Sequence, residues 1–206
     1  MIPQSSPARY SFSFRCLFFV SSLIVSVLVL CTGIIHTSYA QNGSIRTDRA
    51  VYLAGPAPAL PPAGGTVYDQ IFGAEIMRVT DEQDGTNLGT YYSYWPTFNK
   101  NNTRLLVKGD SGTSFIRSFN PTSFTLGAKE LILSIPGVGY PILEGAAWSG
   151  VNPDLLYTHA NASIYAYNAA TKTYTLVADL APRLPAGEYF WQMSKSLDDD
   201  YFAFYT

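Results

Sequence analysis

Residues 98–107 read FNKNNTRLLV, residues 148–157 read WSGVNPDLLY and residues 195–204 read KSLDDDYFAF. Each stretch is a polar turn that runs into a short apolar strand. They recur at a spacing of about 48 residues, and a fixed period of that size signals similar units stacked side by side rather than one globular core. Each such unit leaves an apolar face that only a neighbouring unit can cover.

Other segments keep the same period. Ile116 to Asn120 reads IRSFN, and Ile164 to Asn168 reads IYAYN. Each ends in Asn and a short turn, Pro121-Thr122-Ser123 or Ala169-Ala170-Thr171, before a second alternating run. Asn tolerates left-handed φ and Pro lacks a donor, so both end strands. A run of about five residues, a turn and another run predict an antiparallel hairpin. Two periods apart, Val79-Thr80-Asp81 matches Val177-Ala178-Asp179, Gly89 matches Gly187, Tyr91 matches Tyr189, and Tyr92 matches Phe190.

No segment after residue 66 shows a sustained helical stripe, and turns recur every eight to twelve residues or so, which predicts an all-β fold. Units of about 48 residues holding about four antiparallel strands fit the blades of a β-propeller. The competing architecture is a β-sandwich with two similar halves, but sandwiches rarely repeat hairpins at a fixed offset.

The three turn-strand segments resemble the Trp-Ser-Pro-Asp-Gly-Lys element of exported bacterial WD40-like propellers of the TolB/PD40 type, over most of residues 75–206. The resemblance implies that each turn joins the two inner strands of a blade. Asn102 and Asp199 stand where that family usually has Gly, and the second unit carries Asn152-Pro153. Residues 67–206 supply about three blades, and propellers close with four to eight. The expectation is therefore an incomplete propeller, the N-terminal part of a larger ring. Residues 75–81 would then be the outermost strand of its last blade.

The first forty residues read as a leader. Arg9 and Arg15 form a basic start, residues 16–35 carry no charge, and Ser38-Tyr39-Ala40 has the small-x-small cleavage pattern of a secretory signal peptide. The apolar run is also long enough for an uncleaved anchor. Leu30, where a small residue would be needed, argues against lipidation at Cys31. Cleavage after Ala40 removes both cysteines, Cys16 and Cys31, so the remaining chain forms no internal disulfide. It also removes two arginines and no acid, leaving a chain more acidic than the formal net charge of −2. No basic stripe remains, which argues against a nucleic-acid partner. Residues 41–66, with Pro56, Pro58, Pro61 and Pro62 among Ala and Gly, form a semi-stiff linker. Three glycosylation triplets begin at Asn42, Asn101 and Asn161, a pattern common in polar loops.

Chemistry-bearing motifs are few. Gly109-Asp110-Ser111-Gly112 copies a serine-protease tetrapeptide, but that chemistry needs a His base and a buried Asp. The only histidine outside the leader is His159. The repeat puts the tetrapeptide in a turn between strands, where Gly, Asp and Ser are favoured anyway. Asp198-Asp199-Asp200 lacks the alternate spacing of a calcium loop and falls at a hairpin turn. His159 reads as a lone surface or capped histidine directly after a strand, without companion ligands. No metal and no cofactor is expected.

The aromatic clusters Tyr91-Tyr92-Ser93-Tyr94-Trp95 and Tyr189-Phe190-Trp191 occupy equivalent places just after long inter-unit loops. Tyr92, Trp95 and Trp191, with Glu188 beside them, are the candidate binding residues. Exposed Tyr and Trp stack on sugar rings or grip a protein loop, whereas alternate members of such a run fill a core. The expected function is non-enzymatic: an extracytoplasmic binding or scaffold propeller for a protein or glycan, touching the membrane only through its leader. The alternative is a fragment of a polysaccharide lyase. Residues 78–107 are laid out like the first blade of oligogalacturonate-lyase-type propellers. Those enzymes hold a divalent metal largely by histidines, which this stretch lacks, so the metal site would lie in blades outside this chain.

Overall fold

The computed structural model describes residues 47–206 except Ala54, Tyr91, Ser93, Tyr94 and Ser111. The expected leader with its cysteines, the Asn42 triplet, three members of the first aromatic cluster and the serine of the tetrapeptide lie outside the described residues.

Among the described residues eleven strands form four antiparallel sheets, and the only helical element is a 3-10 turn at Ala181–Arg183. The first sheet is a hairpin of β1 (Thr66–Tyr68) and β2 (Glu75–Met77). Asp69 turns it by accepting the backbone N–H groups of Ile71 (2.8 Å) and Phe72 (2.7 Å). The second sheet has the order β3 (Arg104–Val107), β4 (Phe115–Asn120) and β5 (Thr125–Leu131). The third holds β6 (Ile142–Trp148), β7 (Leu155–Ala160), β8 (Ser163–Asn168) and β9 (Thr173–Asp179). The fourth pairs β10 (Gln192–Lys195) with β11 (Phe202–Tyr205). Spatial order follows chain order in every sheet, so each is a meander of hairpins.

Alternation along the strands explains the layering. In β7, Leu156 points to one face and Tyr157 to the other, because successive side chains of a strand oppose each other. Leu156 joins Leu106, Ile116, Trp148 and Tyr167 in a core between the second and third sheets. Tyr157 packs with Ile164, Phe190, Met193 and Phe202 in a second core between the third and fourth sheets. The third sheet is covered on both faces, so β7 and β8 read as nearly continuous apolar runs rather than as clean alternation. The last strands β5 and β9 are mostly exposed.

The third and fourth sheets meet along their first strands. β6 lies against β10. The backbone of Gly145 in β6 comes so close to Met193 that a Cβ there would sit 2.6 Å from the Met193 nitrogen, and its φ is +81°. The Trp148 indole N–H donates to the Thr97 carbonyl at 3.1 Å, tying the third sheet to the segment that precedes β3.

The repeated turns act as their own caps. Asn99 Oδ1 accepts the N–H groups of Thr103 (2.8 Å) and Arg104 (3.0 Å). One period on, Ser149 Oγ accepts from Val151 (3.0 Å) and Asn152 (2.8 Å), and a further period on Ser196 Oγ accepts from Tyr201 (3.0 Å). Asn102 and Asp199, which stand where the resembled turn has Gly, adopt φ of +57° and +67°. The turn needs a left-handed residue there, and Asn and Asp are the non-glycine residues that tolerate it best. The Asp triplet is more than a solvated turn. Asp199 accepts from the Ser149 hydroxyl, the Gly150 N–H (3.0 Å) and the Lys195 ammonium, latching the fourth sheet to the third.

Antiparallel meanders put alternate connections at opposite ends. One end carries the repeated turns 99–103, 149–154 and 196–201. The other end carries residues 108–114, 132–141 and 180–191. Tyr189, Phe190 and Trp191, and the described residues Gly109, Asp110 and Gly112, belong to this second end.

Candidate binding face

At the second end, hairpin direction alone decides which aromatics face solvent. Phe190 is fully buried at 0% exposure, with its ring 4.2 Å from that of Phe204 and its N–H donating to the Asn161 carbonyl at 3.0 Å. Its neighbours Tyr189 and Trp191 point the other way and are 51% and 52% exposed. The second cluster, in the segment that leads into β10, is thus split into one core ring and two surface rings.

Trp191, Glu188 and Tyr189 line a cavity of 290 Å³ together with Tyr205. Tyr205 also lines a neighbouring cavity of 440 Å³, whose other walls include Trp95, Gln192, Met193 and Phe204. Trp95 is half-buried and meets the half-exposed Tyr92 edge to face, with ring centroids 5.2 Å apart. Three of the four residues expected from sequence, Trp95, Glu188 and Trp191, thereby line adjoining cavities that meet at Tyr205. Tyr92 stands behind Trp95 as a supporting ring. Glu188 is the only charged side chain lining the smaller cavity among the described residues.

A third cavity, of 370 Å³, opens at the same end between the second and third sheets. Lys108, Asp110, Tyr140 and Glu144 contribute its polar wall, with Ile132 and Leu143 at its base. Around the described residues of the tetrapeptide the chain turns: the Thr113 N–H donates to the Asp110 carbonyl at 2.8 Å, and Ser114 Oγ accepts the Gly109 N–H at 3.1 Å. Sequence reasoning passed over Lys108, Tyr140, Glu144 and Tyr205. None of them follows the repeat, and the cavity forms only where two sheets converge.

His159 departs from its expected place. It lies inside β7, 0% exposed, rather than after the strand at the surface. Its Nε2–H donates to the Glu144 carbonyl at 3.1 Å, and its ring edge faces Phe190 with centroids 6.1 Å apart. Because a carbonyl only accepts, Nδ1 is the unprotonated nitrogen, and it has no hydrogen-bond partner among the described residues. Burial pushes the imidazole below its ordinary pKa, although the Glu144 carbonyl and charge pull the other way.

Among the described residues no group of three His, Cys, Asp or Glu side chains is placed to hold a metal ion. No helix among them is long and apolar enough to cross a membrane. No family model, curated protein or solved structure matches the chain.

Proposed function

We propose that the chain belongs to an extracytoplasmic binding protein whose sheets are successive propeller blades, and that its ligand is a neutral glycan held on the aromatic end of the sheets. The observation that carries this reading is the pair of adjoining cavities lined by Trp95 and Trp191 and joined by Tyr205. Concave aromatic walls with a few polar groups are the usual makeup of a small-molecule site. A flat Tyr or Trp face packs on the C–H face of a sugar, and a carboxylate such as Glu188 accepts its hydroxyl protons.

Export is supported by the basic start, the uncharged run of residues 16–35 and the small-x-small pattern at Ala40. The propeller reading is supported by meander sheets that repeat at the sequence period, with β6 of the third sheet lying against β10 of the fourth.

The charge balance favours a neutral ligand over a polyuronate. The three cavities present Asp110, Glu144 and Glu188 against one lysine, Lys108. Such a surface repels a polyanion. The lyase alternative therefore gains no support from this end of the molecule.

The test is a screen of the full chain against immobilised neutral and acidic glycans, followed by Trp95→Ala and Trp191→Ala. Each substitution is expected to weaken binding of a neutral glycan about fivefold, in line with about 1 kcal/mol per aromatic contact, with the melting temperature unchanged. Unchanged binding combined with lowered stability assigns those rings to the core and defeats the proposal.

A further inference from the structure

The polar cavity at Lys108, Asp110, Tyr140 and Glu144 has no role in the aromatic groove just described, yet it is joined to it. Glu144 stands on β6 and lines the polar cavity, and its Oε1 accepts from Gln192 Nε2 at 3.3 Å. Gln192 in turn lines the cavity that contains Trp95. That cavity meets the Trp191 cavity at Tyr205. The three cavities therefore form a row across the end of three sheets: polar, mixed, then aromatic.

The polar cavity is built rather than incidental. Tyr140 is 55% exposed, but its ring is seated on Gly112, where a Cβ would lie 2.8 Å from the ring and where φ is +79°. The positive φ at Gly112 is one that glycine adopts without strain, and the missing Cβ leaves room for the ring. The Asp110 backbone closes the turn by accepting from Thr113, while its side chain is exposed at the cavity wall. An aromatic platform, two carboxylates and a lysine supply both acceptors and donors for hydroxyl groups. The volume falls within the range of small-ligand pockets, roughly 300–1,000 Å³.

We infer that this cavity is a second sugar subsite, and that the ligand is an extended neutral glycan chain running from Tyr140 to Trp191. The inference rests on the glycan reading of the aromatic groove. In it, the aromatic end supplies sequence-tolerant stacking, and the polar end selects the sugar by its hydroxyl pattern. Adjacent sheets packed face to face lie about 10 Å apart, so a chain reaching from the first cavity to the last must be several sugars long. A disaccharide fills the aromatic end alone.

Calorimetric titration of the full chain with cellobiose and cellohexaose tests this. Both are neutral β-linked glucans with flat faces suited to stacking. The hexasaccharide is expected to bind at least tenfold more tightly than the disaccharide. Tyr140→Ala and Asp110→Asn should each remove most of that advantage, leaving disaccharide affinity and melting temperature unchanged. Asp110→Asn keeps the turn's backbone bond, so it still decides the matter if Tyr140→Ala does not fold. Equal affinity for the two sugars, or hexasaccharide binding indifferent to both substitutions, overturns the second subsite while leaving the aromatic groove standing. Binding of neither sugar removes the aromatic-groove reading and this inference with it.

Discussion

His159 illustrates how one buried side chain sets a pH limit. Its Nε2–H is committed to the Glu144 carbonyl, and Nδ1 has no hydrogen-bond partner among the described residues. A second proton would place an unpaired charge among Phe190 and the strand neighbours Ile142 and Ile164. The folded pKa lies below the ordinary value of 6.5. The unfolded chain therefore binds a proton first as pH falls. Stability is full above that ordinary value and is lost as pH drops toward the depressed one, by at most about 1.4 kcal/mol per pH unit for one proton. Denaturant midpoints measured between about pH 7 and about pH 5 should fall in the wild type, and His159→Gln should flatten that part of the curve. Glycine makes a similar point by sterics. A Cβ at Gly150 would land on the Leu197 carbonyl oxygen, a backbone atom that cannot swing aside. Gly150→Ala is expected to cost about 1–3 kcal/mol in chemical denaturation. Neither residue announces this in the sequence. His159 looks like a lone strand-end histidine, and Gly150 like one more turn glycine.

Among the elements, the repeated turns 99–103, 149–154 and 196–201 carry both the repeat and the cohesion between sheets. Asn99 reaches from its own turn to the Pro153 carbonyl (2.8 Å), and Arg104 pairs with Asp154 (2.7 Å). Asp199 repeats the arrangement one unit later, with Lys195 and Ser149 as partners. Burial opposes ionisation of Asp199, yet hydrogen bonds from Lys195 and Ser149 outweigh it and hold its carboxyl below the ordinary range. That contribution is present above the ordinary carboxylate pKa and disappears as pH falls through the depressed value. Asp199→Ala strands the Lys195 ammonium, whose side chain is only 5% exposed. It should cost about 3 kcal/mol, with the effect vanishing in strong acid. Ser149→Ala, which removes the hydroxyl donor to Asp199 and the acceptor of the Val151 and Asn152 N–H groups, should cost about 2–3 kcal/mol. The turn positions were legible because Asn, Asp and Ser recur there at a fixed period. Their inter-sheet partners were not, because each lies about fifty residues away and is chosen by packing.

For the whole molecule, burial is graded from the third sheet outward. β7 and β8 are covered on both faces, whereas β5 and β9 leave most side chains in solvent. Local opening follows such gradients. Amide hydrogen exchange should be slowest across Leu155–Ala160 and Ser163–Asn168 and faster in β5, β9 and the β1–β2 hairpin. Uniform protection across the sheets would contradict this layering. At the same scale, the electrostatics of the second end disfavour acidic polymers, a property that emerges only when turns from different units are brought side by side.

By itself, the sequence determined the all-β class, the approximate strand positions and the turn chemistry. These are local properties, set by alternation, by the left-handed tolerance of Asn and Asp, and by side chains that cap their own turn. It also singled out two aromatic clusters at equivalent places. Tertiary structure decided which rings are surface and which are core, because Phe190 and its neighbours Tyr189 and Trp191 differ only in the face to which the chain turns them. It also decided that Glu144, Gln192 and Tyr205 link three cavities into one row. That link depends on how β6 and β10 of neighbouring sheets come together, and such contact arises from long-range packing that no local pattern encodes.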